Sequence, residues 1–466
     1  MRFSRRTTIG ALLGLTALAA ILRGIGLDAG LWFDEILTLV LFARPPLEHI
    51  VTEYSSSNNH PLYSVLAHLA IGLFGEHAWS LRLPAFLFGV AAVPAVYALG
   101  RAVTDRREAL LASALLTVSY HHIWFSQNAR GYTALALWAM VGTWLLLKGW
   151  QSGRPAFFIG YGVISALGIY THLTMAFMVI GHALVVVVAW ASRPRDRWIV
   201  PLAFGGFAVA AVCALVLYTP MAVDVYAFFT GPSLETAAVA TPSWALRETV
   251  RGLQIGLGAL GAVAAAVLFV AGLSSYWRED PFVTGIFVAP GLVTGAAILA
   301  LQSPVRPRFF FFLAGFAVLL VIRGATVIAG AVVRAFPRIE TAHHRFATAL
   351  VALIIAASSA SLPYGYRYPK QDYEGAMRFV DSIATPEVPV LTAGLAVYPY
   401  REYYRRSWRP LDTAGDLRAV LLAGQEIVVV YTFPEYTDAA LMRTVVDECR
   451  PLRVFPATVA GGDIVV

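Results

Sequence analysis

Charge is what this sequence has least of. Asp, Glu, Lys and Arg make up 14% of its 466 residues, against about 25% in an ordinary soluble domain. That is too little polar surface for a water-soluble body of this length. Lysine is nearly missing: Lys148 and Lys370 are the only two, so the formal charge of +7 rests on arginine. The arginines come in short groups between apolar runs, which is the pattern of membrane topology and not the continuous basic face that binds nucleic acid. The two cysteines, Cys213 and Cys449, make neither a disulfide framework nor a metal motif. There is no Walker loop, HExxH, CxxC, GxSxG or glycine fingerprint after a strand. Nor do the apolar runs carry the acidic ladder of pumps and proton-coupled carriers.

What is present is apolar chain, 58% hydrophobic with a mean hydropathy of +0.67. A membrane span takes roughly 20 such residues, and hydropathy places about eleven: 7–27, 83–100, 108–125, 131–149, 156–171, 173–191, 199–220, 253–274, 282–301, 309–323 and 346–361. The segment 61–75 is short for a span and is expected at the interface. Arg2, Arg5 and Arg6 before the first run look like a signal peptide, but the repeated spans beyond favour an uncleaved first helix. The expected fold is an α-helical polytopic membrane protein.

The charge bias sets an orientation. With the N-terminus cytoplasmic, the inner loops hold most basic residues, among them Arg101, Arg106, Arg107, Arg193, Arg195, Arg197, Arg278, Arg334, Arg338 and Arg345. The long first loop, 28–82, then faces outward, as do a second loop at 221–252 with Asp224 and Glu235 and everything after 361. There the pattern changes: DYEGAMRFVDSI and DAALMRTVVDEC read as amphipathic helices, VPVLT and EIVVVYTF as strands. Residues 1–361 are thus expected to form the membrane domain and 362–466 a small extracytoplasmic α/β domain. The arginine, alanine, glycine and valine bias suits a bacterial cytoplasmic membrane protein.

Polar residues with chemical potential gather at the outer boundaries. Asp34 and Glu35 follow the first span, where carboxylates are costly unless solvated or paired. Partial desolvation would tune Asp34 as a general base; alternatively it N-caps the next helix. Asn59, His60 and Tyr63 open the interfacial segment, either binding a phosphate or sugar hydroxyl or simply capping and anchoring it. Arg130, beside Tyr132, suits an anionic lipid headgroup or the loop carboxylates, or snorkels. His172 lies between two spans and reads as structural or as part of a substrate site. Arg306 and Arg308 defy the charge bias, as phosphate ligands or interfacial anchors.

In order along the chain stand LWFDE (31–35), NHPLYSVL (59–66), LRLPAFLFG (81–89), LGRAVTDRR (99–107), SQNARGY (126–132), YTHL (170–173) and RPRFF (306–310). Together they resemble the GT-C glycosyltransferases, in particular glycosyltransferase family 39, the dolichyl-phosphate-mannose protein mannosyltransferases and the lipid A aminoarabinose transferases. The likeness is densest over the first ~175 residues, in spans of the kind hydropathy finds. It implies a GT-C fold with a small outer C-terminal domain, and a carboxylate of the first outer loop, here Asp34 with Glu35 beside it, that activates the acceptor. It also implies a polyprenyl-phosphate-linked sugar as donor and an outer glycan, lipid or protein hydroxyl as acceptor. The sequence departs from the family pattern in lacking one proline of HPPLY, in Asn128 for Glu and in Gly131 for Pro. No second acidic residue stands near Arg130.

The expected activity is inverting hexosyl or pentosyl transfer, with Asp34 as base and His60, Arg130, Arg306 and Arg308 holding the phosphate. No cofactor is called for; a divalent cation is compatible, although no motif supports it. Two other readings are a lipid-linked glycan transporter, which should show broken helices and mid-membrane polar groups, and a non-catalytic scaffold of envelope assembly.

Overall fold

The computed structural model describes residues 4–56, 58–231, 242–301, 305–335 and 343–466. Glu235 and Arg338 lie outside the described residues.

In a bilayer the backbone must satisfy its own hydrogen bonds, so the apolar runs form helices. Among the described residues nine are long and apolar enough to cross a membrane: Arg5–Gly24, Ala78–Val103, Tyr132–Ser152, Thr174–Ser192, Val200–Thr230, Leu257–Glu279, Pro281–Ala300, Pro307–Ala335 and Thr348–Arg367. Pro61–Phe74 and Pro155–Thr171 are shorter apolar helices. Helix Pro242–Glu279 turns at Gly258, whose φ is 70°, and then lies backbone to backbone along Ala314–Ala335. A Cβ at Gly272 or Gly324 would overlap the carbonyl oxygen of Leu320 or Leu268, the close approach that small residues permit between membrane helices.

The span expected at 108–125 is not one helix. Arg106–Thr117 ends at Val118, and Ser119 caps a second helix, Tyr120–Ser126, by accepting from His122 N–H. The cause lies far off in sequence. The fully buried Arg23 guanidinium donates to the freed carbonyls of Leu116 and Thr117, each at 3.1 Å, and to His122 Nδ1 at 3.0 Å. It thereby ends one helix and anchors the next. Arg23→Met should destabilise the protein by about 1–3 kcal/mol, the cost of leaving the buried Thr117 carbonyl without its donor, while Leu116 O keeps the Ser119 N–H. Unfolding in detergent measures this; unchanged stability would show that another donor serves the Thr117 carbonyl.

The C-terminal part holds the two expected strands and three more. β1 (Val390–Gly394), β2 (Arg409–Leu411), β3 (Val428–Thr432), β4 (Val454–Phe455) and β5 (Ile464–Val465) lie in the order β2-β1-β3-β5-β4. β1 runs parallel to β2 and β3, and β5 antiparallel to β3 and β4. Helices Tyr373–Ile383 and Ala439–Glu448 carry Asp N-caps, Asp372 and Asp438. Side chains alternate across β3. Val429 packs with Leu391, Leu417 and Leu441 on one face. Val428 and Val430 face a cluster that includes Leu31, Ile36, Tyr63 and Leu81. The sheet and the segment bearing Asp34 therefore share one core, and burying Ile36 completely contributes roughly 1.5–3 kcal/mol.

Candidate functional site

The acidic doublet sits in a five-residue helix, Phe33–Leu37, that continues as a wider turn, Thr38–Ala43. Trp32 is the N-cap, so Asp34 is not a cap. Adjacent helical residues point about 100° apart, and the two carboxylates accordingly enter different surroundings.

Glu35 is fully buried. Its oxygens accept from Arg82 Nε and Nη2 at 2.7 and 2.6 Å, from Ala129 N–H at 2.7 Å and from Trp32 N–H at 3.4 Å. Burial by itself would raise this carboxyl, but the Arg82 guanidinium, the Lys370 ammonium and the Ala129 N–H together hold it below the usual carboxylate range. Arg82 also donates to the carbonyls of Leu27, Ala29 and Gly30. Glu35 is thus saturated and sealed, a geometry that organises the loop and offers nothing to a substrate.

Asp34 faces the other way. Its Oδ2 receives Arg130 Nη1 and Arg308 Nη1, both at 2.9 Å. Arg130 Nη2 reaches His60 Nε2 at 2.9 Å, and Arg130 also bonds the Asn58 side-chain oxygen. Because His60 Nε2 accepts, the ring proton lies on Nδ1, a buried atom with no hydrogen-bond partner among the described residues. An added Cβ on Gly131 would come within 2.7 Å of that nitrogen, so the missing side chain at 131 makes room for the imidazole. Tyr132 and His172 complete the group, with ring centroids 5.2 and 4.8 Å from His60. His172 Nδ1 accepts from Thr174. Burial, and then Arg130 and Arg308, push His172 down to about 3. The His60 imidazole lies well below its ordinary value through burial, then Arg130, His172 and Arg308. Both rings are neutral at pH 7, so two guanidiniums and one carboxylate leave the cluster with one net positive charge. A phosphodiester would balance it.

These groups come from the ends of separate helices, gathered at one end of the bundle. Other expected residues are placed differently. Tyr63 is buried and donates to Leu81 O at 2.8 Å. Asn59 bonds Glu53 O and Ser64. Arg306 turns to the C-terminal unit, with Nη1 3.2 Å from the Tyr436 hydroxyl and its guanidinium over that ring. An apolar cavity of about 220 Å³ is lined by Leu246, Thr249, Gly295, Leu299, Val305, Pro307 and Phe310, of which Val305 and Pro307 are chain neighbours of Arg306. Among the described residues no group of three or more His, Cys, Asp or Glu is placed to hold a metal.

Sequence reasoning missed Arg82, Lys370 and Gln371. Arg82 had a signal, a basic residue on the side where such residues are scarce. Lys370 is half-buried, donates to Gln127 O at 2.5 Å and lies over Trp124. Burial first, opposed by Glu35 and reinforced by Arg82, pushes it down to about 7. Its scarcity in the sequence was the only hint. Gln371 offered none.

The dolichyl-phosphate-mannose-protein mannosyltransferase family model matches residues 58–223. YkcB of Bacillus subtilis (strain 168), which carries a mannosyltransferase name, is 26% identical over 152 residues, 33% of this chain; the match spans about a fifth of that relative, 21%. The solved structure of ArnT from Cupriavidus metallidurans in the apo state superposes with a TM-score of 0.56 at 14% identity, covering 98% of both chains. Its complex with undecaprenyl phosphate gives 0.51 over the same shares. The archaeal oligosaccharyltransferase AglB from Archaeoglobus fulgidus, in complex with an inhibitory peptide and a dolichol-phosphate, gives 0.52 at 12% identity, over 93% of this chain and 72% of that one. At such identities the structural likeness speaks for the fold.

Proposed function

We propose that this chain, which has the GT-C glycosyltransferase fold and matches the dolichyl-phosphate-mannose-protein mannosyltransferase family model over residues 58–223, transfers a sugar from a polyprenyl-phosphate donor to an acceptor hydroxyl outside the cytoplasmic membrane. One observation carries the reading: a carboxylate held between two guanidiniums, 2.9 Å from each, at one end of a membrane bundle. ArnT binds undecaprenyl phosphate and AglB a dolichol-phosphate, and a donor of that class matches the charge of this cluster. The N-terminus is then cytoplasmic, and the α/β unit that follows the last apolar helix, Thr348–Arg367, forms an extracytoplasmic domain over the site.

In the proposed reaction the acceptor oxygen attacks the anomeric carbon with inversion. The bond from that carbon to the phosphate oxygen breaks, and polyprenyl phosphate leaves with the electron pair. Asp34 takes the acceptor proton. As the phosphate becomes more negative, Arg308 and Arg130 move their hydrogen bonds from Asp34 towards it, which frees the carboxylate as it becomes a base. His60 Nδ1–H and the Tyr132 hydroxyl, both buried and without a hydrogen-bond partner among the described residues, serve as neutral donors to the phosphate or sugar. Glu35 acts through Arg82 as a positioning residue.

The test is incubation of the purified protein with radiolabelled polyprenyl-phosphate sugars and candidate acceptors. Label moved to an acceptor supports the proposal; label moved across a vesicle unchanged would replace it with transport. Arg308→Ala should weaken donor binding about tenfold or more, the scale of a lost charge-assisted bond. Unchanged donor affinity would reassign Arg308 to anchoring.

A further inference from the structure

The first turn of the Asp34 helix is tied to the C-terminal sheet, and one side chain makes most of the connection. Gln371 is 1% exposed. Its Oε1 accepts the backbone N–H of Phe33 at 2.9 Å. Its amide nitrogen donates to Thr432 Oγ1 at 3.0 Å and to Gly462 O at 3.1 Å. Thr432 ends β3, and Gly462 stands just before β5, so the bonds reach two neighbouring strands.

The reason for a glutamine lies in the helix. Phe33 is its first residue, and the first N–H groups of a helix have no acceptor inside it. The N–H of Trp32 is taken by Glu35, and that of Phe33 by Gln371. A five-residue helix cannot hold its own geometry; its position comes from what grips it. Around this bond the Phe433 ring meets Phe33 edge-on at 6.2 Å. Phe433 has a φ of 50°, a left-handed conformation that a bulky residue keeps only where surrounding structure demands it. Here it turns the chain sharply after β3 and is followed by Tyr436, the partner of Arg306.

We infer that Gln371 is a positioning residue, setting the first turn of the helix so that the C-terminal unit fixes where the Asp34 carboxylate meets Arg130 and Arg308. It touches no reacting atom. The kinetic side of the inference rests on the proposed sugar transfer; its structural side does not.

Both sides are tested on the full-length protein in detergent. Gln371→Met keeps the volume and removes all three bonds. Hydrogen exchange at the Phe33–Leu37 amides should quicken about tenfold or more relative to wild type while the rest of the sheet stays protected. With a working transfer assay, kcat should fall about 10- to 100-fold, the scale of a small misplacement, with donor KM unchanged. Gln371→Glu still accepts from Phe33, and on acidification its protonated carboxyl regains one donor. Its kcat should therefore recover as pH falls, which neither wild type nor Gln371→Met should do. Equal exchange in Gln371→Met and wild type overturns the inference, as does an undiminished kcat. If Gln371→Met does not fold, Thr432→Val removes one of the three Gln371 bonds, together with the Thr432 hydroxyl's own bond to Gly462 O, and carries the same comparison with a smaller shift. A wild type that transfers no sugar would defeat the functional reading alone, and exchange would still decide the role of Gln371.

Discussion

Asp34→Asn should fold normally and transfer sugar at least about 100-fold more slowly, the usual scale for a lost general base. The substitution keeps the shape of the side chain but removes the group that takes the proton. It also changes the electrostatics in a diagnostic way. With Asp34 ionised, the pair of guanidiniums on its Oδ2 leaves one net positive charge; with asparagine there are two. Donor phosphate should then bind as tightly as before, or more tightly, so kcat falls while donor KM stays level or drops. A rise in KM with kcat intact would mean that Asp34 only orients Arg130 and Arg308. Near-normal turnover would remove it from the mechanism. Steady-state kinetics with a polyprenyl-phosphate sugar separates these results.

Arg82→Met is expected to cost the fold most, about 3–5 kcal/mol, because removing one partner of a buried ion pair strands the other. Glu35 would keep its burial and the Ala129 N–H but lose both guanidinium bonds, and three carbonyls would lose their donor. The pH dependence should change sign. In the wild type the Glu35 pKa lies below its unfolded value. Its contribution is therefore complete above the ordinary carboxylate range and fades as pH falls through the lower, folded value. In the variant burial prevails and raises the folded pKa. Stability is then greatest below the ordinary value and is lost as pH rises through the new one. Acidification from pH 7 to pH 5 should accordingly raise the melting temperature of Arg82→Met and not that of the wild type. Equal melting temperatures for the two proteins at pH 7 would show that Glu35 does not depend on this pair.

The membrane bundle was legible because hydropathy is a local property. A run of apolar residues needs no distant partner to become a span, and the amphipathic helices and short strands after 361 follow from period alone. LWFDE at a span boundary was legible for a similar reason, since charge is costly there whatever the fold. The sequence by itself thus determined a many-helix membrane protein with an α/β tail and a polar edge.

Tertiary structure alone decided the rest. Asp34 and Glu35 are neighbours with the same chemistry, and only the direction each takes from the helix gives one to Arg130 and Arg308 and the other to Arg82. The break at Val118–Ser119 lies inside an apolar run and exists because Arg23 brings donors to its carbonyls. Gln371 is unremarkable until the chain brings it to Phe33. In each case the deciding partner is remote in sequence, and a hydrogen bond or ion pair depends on ångström-scale placement that no pattern of residue types along the chain encodes.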